Sequence, residues 1–505
     1  MPENLQNVFS VEEKRIFRTT LTVSKSGYYR VCVRYEHNNW DAWLKLDIVG
    51  DNGETMTYIP PLPKKYTETT MLLYLFAGEN YITMAPRFDQ PVVIREMVVV
   101  EEAPELNPRV IPSEDWFCRS EPKPRRLTVV SYTGAPVKIT ADDREIPFET
   151  EDKALYDHGN PVETKEPPTY YHLRLLPDTL PALGTGAHRL TVHLPENKAA
   201  FYMLTVEEEQ KDYAFRIVNL DVNHGNCVLL RLPNGKHLLI DTGTERCAKD
   251  VIFPYFEKKG IAPDYCLITH YHSDHNGSLA EILEKYPLAK PEEAEVKACI
   301  EVGDHEKRLE YLSKFGYLDN KLLCRYDRLD RIWNLGGVEI TVLNAKYEKN
   351  GEESAPGSRD ENETSVSMLV SYKGFRYYHG ADNYAPSQRR NLEDFTAAGR
   401  LEELRCHYMQ ANHHFHGDLL PELIRAINPV AVIVPADQAI YSRSAYMVDY
   451  LQGVVETDDP GKRLKDTFVS YMSGTVSALV SSENDWRYET AENIFDVQKR
   501  KELRL

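Results

Sequence analysis

Thr269-His270-Tyr271-His272-Ser273-Asp274-His275-Asn276-Gly277 follows directly on the apolar run Tyr265-Cys266-Leu267-Ile268. Three histidines and one carboxylate fall within six residues there. The apolar run predicts a buried strand, and the polar stretch a loop leaving its end. On a strand end alternate side chains share a face, so His270 and His272 point the same way. Asp274 and His275 follow past a turn and face a second position. Imidazole nitrogen and carboxylate oxygen are the donor set of zinc or a similar borderline cation. Surface histidines gathered by chance are the plain alternative, but the spacing and the strand before it favour metal. The interior position excludes a tag.

The chain around this stretch is 505 residues long, which predicts two to four domains. A 42% apolar share, with five Trp, sixteen Phe and thirty-one Tyr, is enough for real cores. The formal charge of −18 disfavours gripping long nucleic acid or an anionic membrane. Eight cysteines are scattered with no C-x-x-C pair, and several lie in apolar runs, so buried free thiols are expected. The first residues show neither a basic segment nor an apolar one of signal-peptide type. No apolar run reaches the length of a membrane span. A cytoplasmic protein is the expectation, a trimmed secreted form the alternative.

Residues 1–102 read as all-β. Thr20–Val23, Tyr28–Tyr35, Leu72–Leu75, Tyr81–Met84 and Val92–Val100 are short, partly alternating runs punctuated by Ser24-Lys25-Ser26-Gly27 and Gly78-Glu79-Asn80. That is the pattern of a β-sandwich. Its phrases Ser26-Gly27-Tyr28-Tyr29-Arg30-Val31 and Ala77-Gly78-Glu79-Asn80-Tyr81-Ile82 resemble those of carbohydrate-binding modules. Trp40, Trp43, Tyr58 and Tyr66 are candidates for a sugar platform, with ordinary core packing the more economical account. Residues 103–125, with five prolines, read as a stiff linker draped over a neighbour through Trp116 and Phe117. Residues 126–209 read as a second, immunoglobulin-like sandwich.

From Tyr213 the texture changes. Strand patterns at Phe215–Val222, Cys227–Leu232 and His237–Gly243, the last closing on a loop, alternate with helical ones at Ser278–Tyr286, Pro386–Phe395 and Leu419–Ile427, as in a layered α/β core. Eleven of the sixteen histidines lie between 213 and 490. Residues 491–505 remain as a tail.

Four phrases in this region, taken together, resemble the ordered motifs of the metallo-β-lactamase superfamily: Leu239-Ile240-Asp241-Thr242-Gly243, the H-x-H-x-D-H string, His379-Gly380-Ala381-Asp382 and Asn412-His413-His414. Within that superfamily the chain is most similar to the hydrolase domain of bacterial DNA-uptake competence proteins. The phrases carrying this are Asp221-Val222-Asn223-His224-Gly225-Asn226, Asn362-Glu363-Thr364-Ser365 and Met409 to His414. The overall expectation is therefore multidomain, two all-β sandwiches followed by an αββα domain over 213–490.

The resemblance implies His270 and His272 on a first metal, Asp274, His275 and His413 on a second, and Asp382 bridging both. Asp274 would also orient the nucleophilic water. Asp241 would stand behind the ligands and hold an imidazole by its far N–H. Most members supply a third histidine to the first metal; here only His305 and the loop around Asn362 offer a substitute. One or two ions per chain, Zn²⁺ or Mn²⁺, are expected, with the first position completed by Asn362 or water. His224 and Asn226 are expected near the metals, His224 as a catalytic residue. His414 and His416 are candidate donors to a substrate oxyanion. Asp437 and Tyr441 are expected on loops approaching the cleft.

The expected chemistry is hydrolysis of a phosphodiester, ester or lactone by metal-activated water. Residues 213–490 hold thirty-two Lys plus Arg against forty-two Asp plus Glu, with no basic run. A small or carbohydrate-linked substrate therefore fits better than long nucleic acid. The alternatives are a metal-binding scaffold or carbohydrate-binding assembly protein, self-associating through its sandwiches, and diiron redox chemistry. The last is disfavoured because His272 stands where such relatives typically carry Glu.

Overall fold

The computed structural model describes residues 16–37, 42–58, 61–62, 68–86, 92–102, 108–112, 116–120, 125–131, 133–150, 169–176, 180, 182–209, 211–288, 299–300, 331–345, 361–415, 419–436, 466–470 and 474–490. His305, His416, Asp437, Tyr441, Trp40 and Tyr66 lie outside these residues.

The N-terminal strands form two antiparallel sheets. One runs Phe17–Val23, Gly78–Pro86, Ala42–Gly50, Thr55–Tyr58, and the other Glu68–Leu75, Gly27–His37, Val92–Glu102. Alternation decides which side chains turn inward. Val31, Val33 and Tyr35 from the second sheet meet Leu44, Leu46, Ile48, Ile82 and Met84 from the first in one buried cluster. Asn80, fully buried, holds the corner: its amide donates to the Phe76 carbonyl at 2.8 Å and accepts the Phe76 N–H at 2.8 Å. Trp43 and Tyr58 of the expected platform lie in the strands Ala42–Gly50 and Thr55–Tyr58.

The segment 103–125, expected as linker, contributes strands instead. Arg109–Pro112 pairs antiparallel with Arg125–Ser131, and Trp116–Cys118 pairs parallel with Thr205–Glu207. Val110 and Phe117 bury among the core of the next sheets. Pro112 is tolerated because its strand is an edge. Proline content was the wrong signal here; the apolar residues between the prolines decided the outcome. Trp116 and Cys118 pack with Tyr213 and Leu479, and Arg487 pairs with Glu207. The strands of 109–207 are thereby fastened to the C-terminal sheets.

Those C-terminal strands form two seven-stranded sheets. The first contains Phe215–Asn219, Val228–Arg231, His237–Ile240, Tyr265–Ile268, Cys299–Ile300, Val476–Ser482 and Asp485–Thr490. The second contains Arg331–Leu335, Val338–Asn344, Ser367–Tyr372, Phe375–His379, Tyr408–Gln410, Ala431–Val434 and Asp466–Val469. Inward residues such as Ile217, Leu230, Ile240 and Leu267 meet Ile340, Val370, Tyr377 and Ile433 between the sheets. Outer faces are covered by helices: Phe253–Lys259 and Leu279–Lys285 on the first, Ala385–Ala397 and Pro421–Ile427 on the second. The order is helix, sheet, sheet, helix.

This layering positions the site. His237–Ile240 and Tyr265–Ile268 run parallel in one sheet, and Phe375–His379 and Tyr408–Gln410 run parallel in the other. Their carboxyl ends deliver Asp241, His270, Asp382 and His414 to neighbouring loops. No helix among the described residues is long and apolar enough to cross a membrane. Cys118, Cys227, Cys247, Cys266 and Cys406 are buried and Cys32 is half-buried.

Candidate metal centre

Four of the loops that reach the site are bent by left-handed residues: Asn223 and Gly225, Asp241, Ala381, and His413, His414 and Phe415 in succession. Non-glycine residues in that region cost about 1–3 kcal/mol each and persist where surrounding structure demands them. Gly225 has no alternative. A Cβ on it would lie 2.0 Å from the Asp274 carbonyl oxygen, which the Asn226 N–H bonds at 3.1 Å.

Asp241, wholly buried at the end of its strand, organises the motif loop. Its carboxylate accepts the Thr269 N–H at 2.7 Å, the Thr269 hydroxyl at 2.8 Å and His275 Nδ1–H at 2.8 Å. The short helix Ser273–Asn276 then carries Asp274 and His275 past the turn. From the second sheet, the Asp382 N–H bonds Ser365 Oγ at 3.2 Å, and Asn383 Nδ2 bonds the Ser365 carbonyl and hydroxyl at 2.7 Å each. The Asn362-to-Ser365 phrase is thus the seat of the Asp382 loop.

Two groups of donor atoms result. Asp274, His275, Asp382 and His414 form one, His270, His272 and Asp382 the other, the atoms of each lying within 4.8 Å of one another. His275 Nε2 lies 3.1 Å from Asp382 Oδ1, and His414 Nε2 lies 3.2 Å from Asp274 Oδ2. The two imidazole nitrogens are 3.3 Å apart. The rings of His270 and His272 meet edge-on at 4.7 Å, and His270 Nε2 stands 3.7 Å from Asp382 Oδ2.

The protons decide what this arrangement is for. His275 Nδ1 faces the Asp241 carboxylate, and His414 Nδ1 faces the Pro435 carbonyl at 2.8 Å. Both partners only accept, so both Nδ1 atoms carry hydrogen and both Nε2 atoms of the neutral rings present lone pairs. Two lone pairs and two carboxylates are therefore turned on one point, and His270 Nε2 has no hydrogen-bond partner among the described residues. Only a cation, or extra protons, reconciles them. Burial opposes a charged His414, yet Asp382 and Asp274 outweigh it and push this imidazole up to about 10. Burial and the neighbouring His275 hold His270 well below the ordinary histidine range. The donor set fits a divalent cation of zinc type.

Asp241→Asn is expected to lower metal affinity about 10–100-fold, because an amide cannot both accept from Thr269 and hold the His275 Nδ1 proton. Zinc titration of the metal-free variant reads this directly; wild-type affinity would remove Asp241 from the account.

The structure brings together His270, His272, Asp274, His275 and Asp382 with Asp241 behind them, all read from sequence. It differs at the fourth phrase. His414, not His413, joins the second group, because three successive left-handed residues turn His414 inward. His413 faces Asn362 Nδ2 at 3.3 Å, and an amide nitrogen only donates, so the His413 Nε2 lone pair is already engaged. With its Nδ1 proton on Pro435, His414 presents Nε2 to the second donor group. Asn362 turns its amide nitrogen to Tyr384 Oη at 2.9 Å as well as to His413. His224 is part-exposed, its Nε2 3.1 Å from Asp274 Oδ2. Asn226 is buried and serves the loop through its main chain. Sequence reasoning missed Tyr384 and the Pro435 carbonyl. Nothing in their local sequence marks them, since each acts through a contact made across the fold.

Residues 220–339 match the family model of the metallo-beta-lactamase superfamily. The chain carries a metallo-β-lactamase domain. Members of that superfamily are in general metal-dependent hydrolases. Asp382 and His414 lie beyond the matched residues and are brought in by the second sheet. A curated relative, Recombination protein 2 of Haemophilus influenzae (strain ATCC 51907 / DSM 11121 / KW20 / Rd), is 34% identical over 77 residues, 14% of this chain and 10% of that protein. The chain thus spans only a small part of that relative. Among solved structures, a zinc-bound PqqB from Methylobacterium extorquens is similar at 11% identity and TM-score 0.28, over 50% of this chain and 86% of that one. MEM-A1, a subclass B3 metallo-beta-lactamase from a soil metagenome library, is similar at 12% identity and TM-score 0.23, over 49% and 96%. A GH26-CBM35 mannanase of Podospora anserina is similar over 19% of this chain and 21% of its own, at 17% identity and TM-score 0.15.

Proposed function

We propose that this chain hydrolyses a phosphodiester or ester in a small or carbohydrate-linked substrate, using one or two Zn²⁺ or Mn²⁺ ions. The observation that carries the reading is the convergence of the His275 and His414 lone pairs with Asp274 and Asp382. His270, His272 and Asp382 would hold a first ion, and Asp274, His275, Asp382 and His414 a second. Such ions supply Lewis acidity and make water a nucleophile at neutral pH.

The chain's own residues do the rest. Asp274, part-buried between His224 and His414, orients the attacking water and accepts its proton. His224, on the open side, is placed to return a proton to the departing group. Asp241 keeps His275 in the tautomer that presents Nε2. The acidic balance of 213–490 argues against extended nucleic acid as the main substrate.

Full-length protein loaded with Zn²⁺ or Mn²⁺ should turn over bis-aryl phosphates or aryl esters faster than long nucleic acid or lactams. A His270→Ala/His272→Ala control should be inert. Turnover no greater than this control across the whole panel would remove the hydrolase reading, and less than one ion per chain would favour a scaffold.

A further inference from the structure

We propose that His188 is a proton-operated clasp, which ties the 182–186 loop to the Asp142-Asp143 turn while both ring nitrogens carry hydrogen and frees that loop when one is lost. The clasp lies among the strands of 109–207 and uses none of the metal-centre residues, so it is independent of the hydrolase reading.

The partners of His188 fix its protons. Nδ1 lies 2.6 Å from Asp142 Oδ2, and Nε2 lies 2.7 Å from the Gly184 carbonyl oxygen. A carboxylate and a carbonyl only accept, so both ring nitrogens donate, and a ring that donates twice is an imidazolium.

The fold builds the two sides of the clasp separately. Lys138–Ala141 and Arg144–Glu145 pair across a two-residue turn in which Asp142 (φ 45°) and Asp143 (φ 69°) are both left-handed, as a type I′ hairpin requires. The main chain holds the Asp142 carboxylate in place. Its Oδ1 accepts the Arg189 N–H at 3.0 Å, while the Asp142 N–H bonds the Arg189 carbonyl at 3.1 Å. On the other side, Leu180 and Leu183 are buried in the same core as Ile146, and the Leu183 N–H bonds the Leu180 carbonyl at 2.9 Å. Gly184 follows directly on that apolar plug. His188 therefore ties the loop behind Leu183 to the turn that leads into Ile146.

The charges around the ring are few. Beyond Asp142, the turn carries Asp143 and Arg144, both exposed, and Arg144 Nη1 donates to the Ala182 carbonyl at 3.4 Å. The 182–186 loop has no titratable side chain. On the strand Ala199–Glu207, Leu204 stands opposite His188, and the Arg189 guanidinium lies over the Phe201 ring at 4.1 Å. Asp142 is the charge that His188 answers.

Partial burial lowers the His188 pKa, but the bonds to Asp142 and Gly184 outweigh it and raise the imidazole above its ordinary range. The Arg189 N–H and His188 hold the Asp142 carboxyl below its ordinary range. A raised imidazole adds stability that is fully present below its unfolded pKa and is lost as pH rises through the folded one. A lowered carboxyl adds stability that is lost as pH falls through its folded pKa. The clasp is closed between those limits. On the alkaline side the remaining proton stays on Nδ1, in the charge-assisted bond to Asp142. The Nε2 lone pair then opposes the Gly184 oxygen, and the loop is released.

NMR of the full chain with labelled histidine, titrated from about pH 5 to about pH 10, gives the first test, with His188→Gln identifying the resonance. His188 should titrate above the ordinary value of about 6.5. Hydrogen–deuterium exchange of the 182–190 peptide, corrected for intrinsic rates, gives the second. Protection of its amides should fall on the order of tenfold between about pH 6 and about pH 9, the weight of one hydrogen bond. His188→Gln and Asp142→Asn should each show the alkaline level at both pH values. The wild-type measurements decide the matter even where a variant does not fold. A His188 pKa at or below the ordinary value, wild-type protection unchanged across the titration, or pH-dependent protection that survives both substitutions would each overturn the clasp.

Discussion

Asp382→Ala is expected to abolish ion binding at both positions together and to lower hydrolysis on the order of 10³-fold or more. Among the described residues, Asp382 is the one side chain shared by the two donor groups. Its Oδ1 faces His275 Nε2 at 3.1 Å and its Oδ2 faces His270 Nε2 at 3.7 Å, so one carboxylate serves both sides. Burial raises its pKa, but His275 and His414 outweigh that and hold it well below the usual carboxylate range. With its pKa held low by these imidazoles, Asp382 stabilises the metal-free fold at neutral pH. The metal-free variant should therefore melt below metal-free wild type, while metal-loaded wild type melts well above both. Elemental analysis with thermal melts of the four samples checks the pattern. A variant that keeps its full ion complement would contradict the shared carboxylate.

His414→Ala and His413→Ala should separate cleanly, although the two residues are adjacent. Losing His414 removes a nitrogen 3.2 Å from Asp274 Oδ2, so ion content should fall by up to one per chain and activity on the order of 10²-fold or more. Losing His413 should leave ion content at the wild-type value, because its Nε2 is engaged by Asn362. The reverse result would return the ligand role to His413. Elemental analysis of the two purified variants decides it in one measurement.

The contrast shows what the sequence could and could not convey. H-x-H-x-D-H was legible because its donors are local: one strand end and one turn place all four side chains. Asp241 was legible for the same reason, since it ends the neighbouring parallel strand. The choice between His413 and His414 was not, because it depends on three left-handed residues and on Asn362 and Pro435, which meet these histidines only in the folded chain. The N-terminal sheets followed from alternation, as Val31, Val33 and Tyr35 illustrate. The strands at Arg109–Pro112 and Trp116–Cys118 were hidden because they are short and set among the prolines of 103–125, while their partners lie elsewhere in the sequence. Tyr384 carried no signal at all. Its neighbours in space come from two other loops.

The division of donors between the two sheets has a consequence for synthesis of the chain. His275 and His414 are 139 residues apart, yet their Nε2 atoms must stand 3.3 Å from each other. At about 5–20 residues per second, a ribosome needs on the order of ten seconds to deliver the second after the first. The sheet carrying His275 is itself unfinished until Val476–Ser482 emerges to pair with Phe215–Asn219. An ion that bridges the sheets therefore cannot guide the early stages of folding. It can only lock a chain whose last strands have already arrived, and chelation should loosen the seam between the sheets rather than either sheet alone.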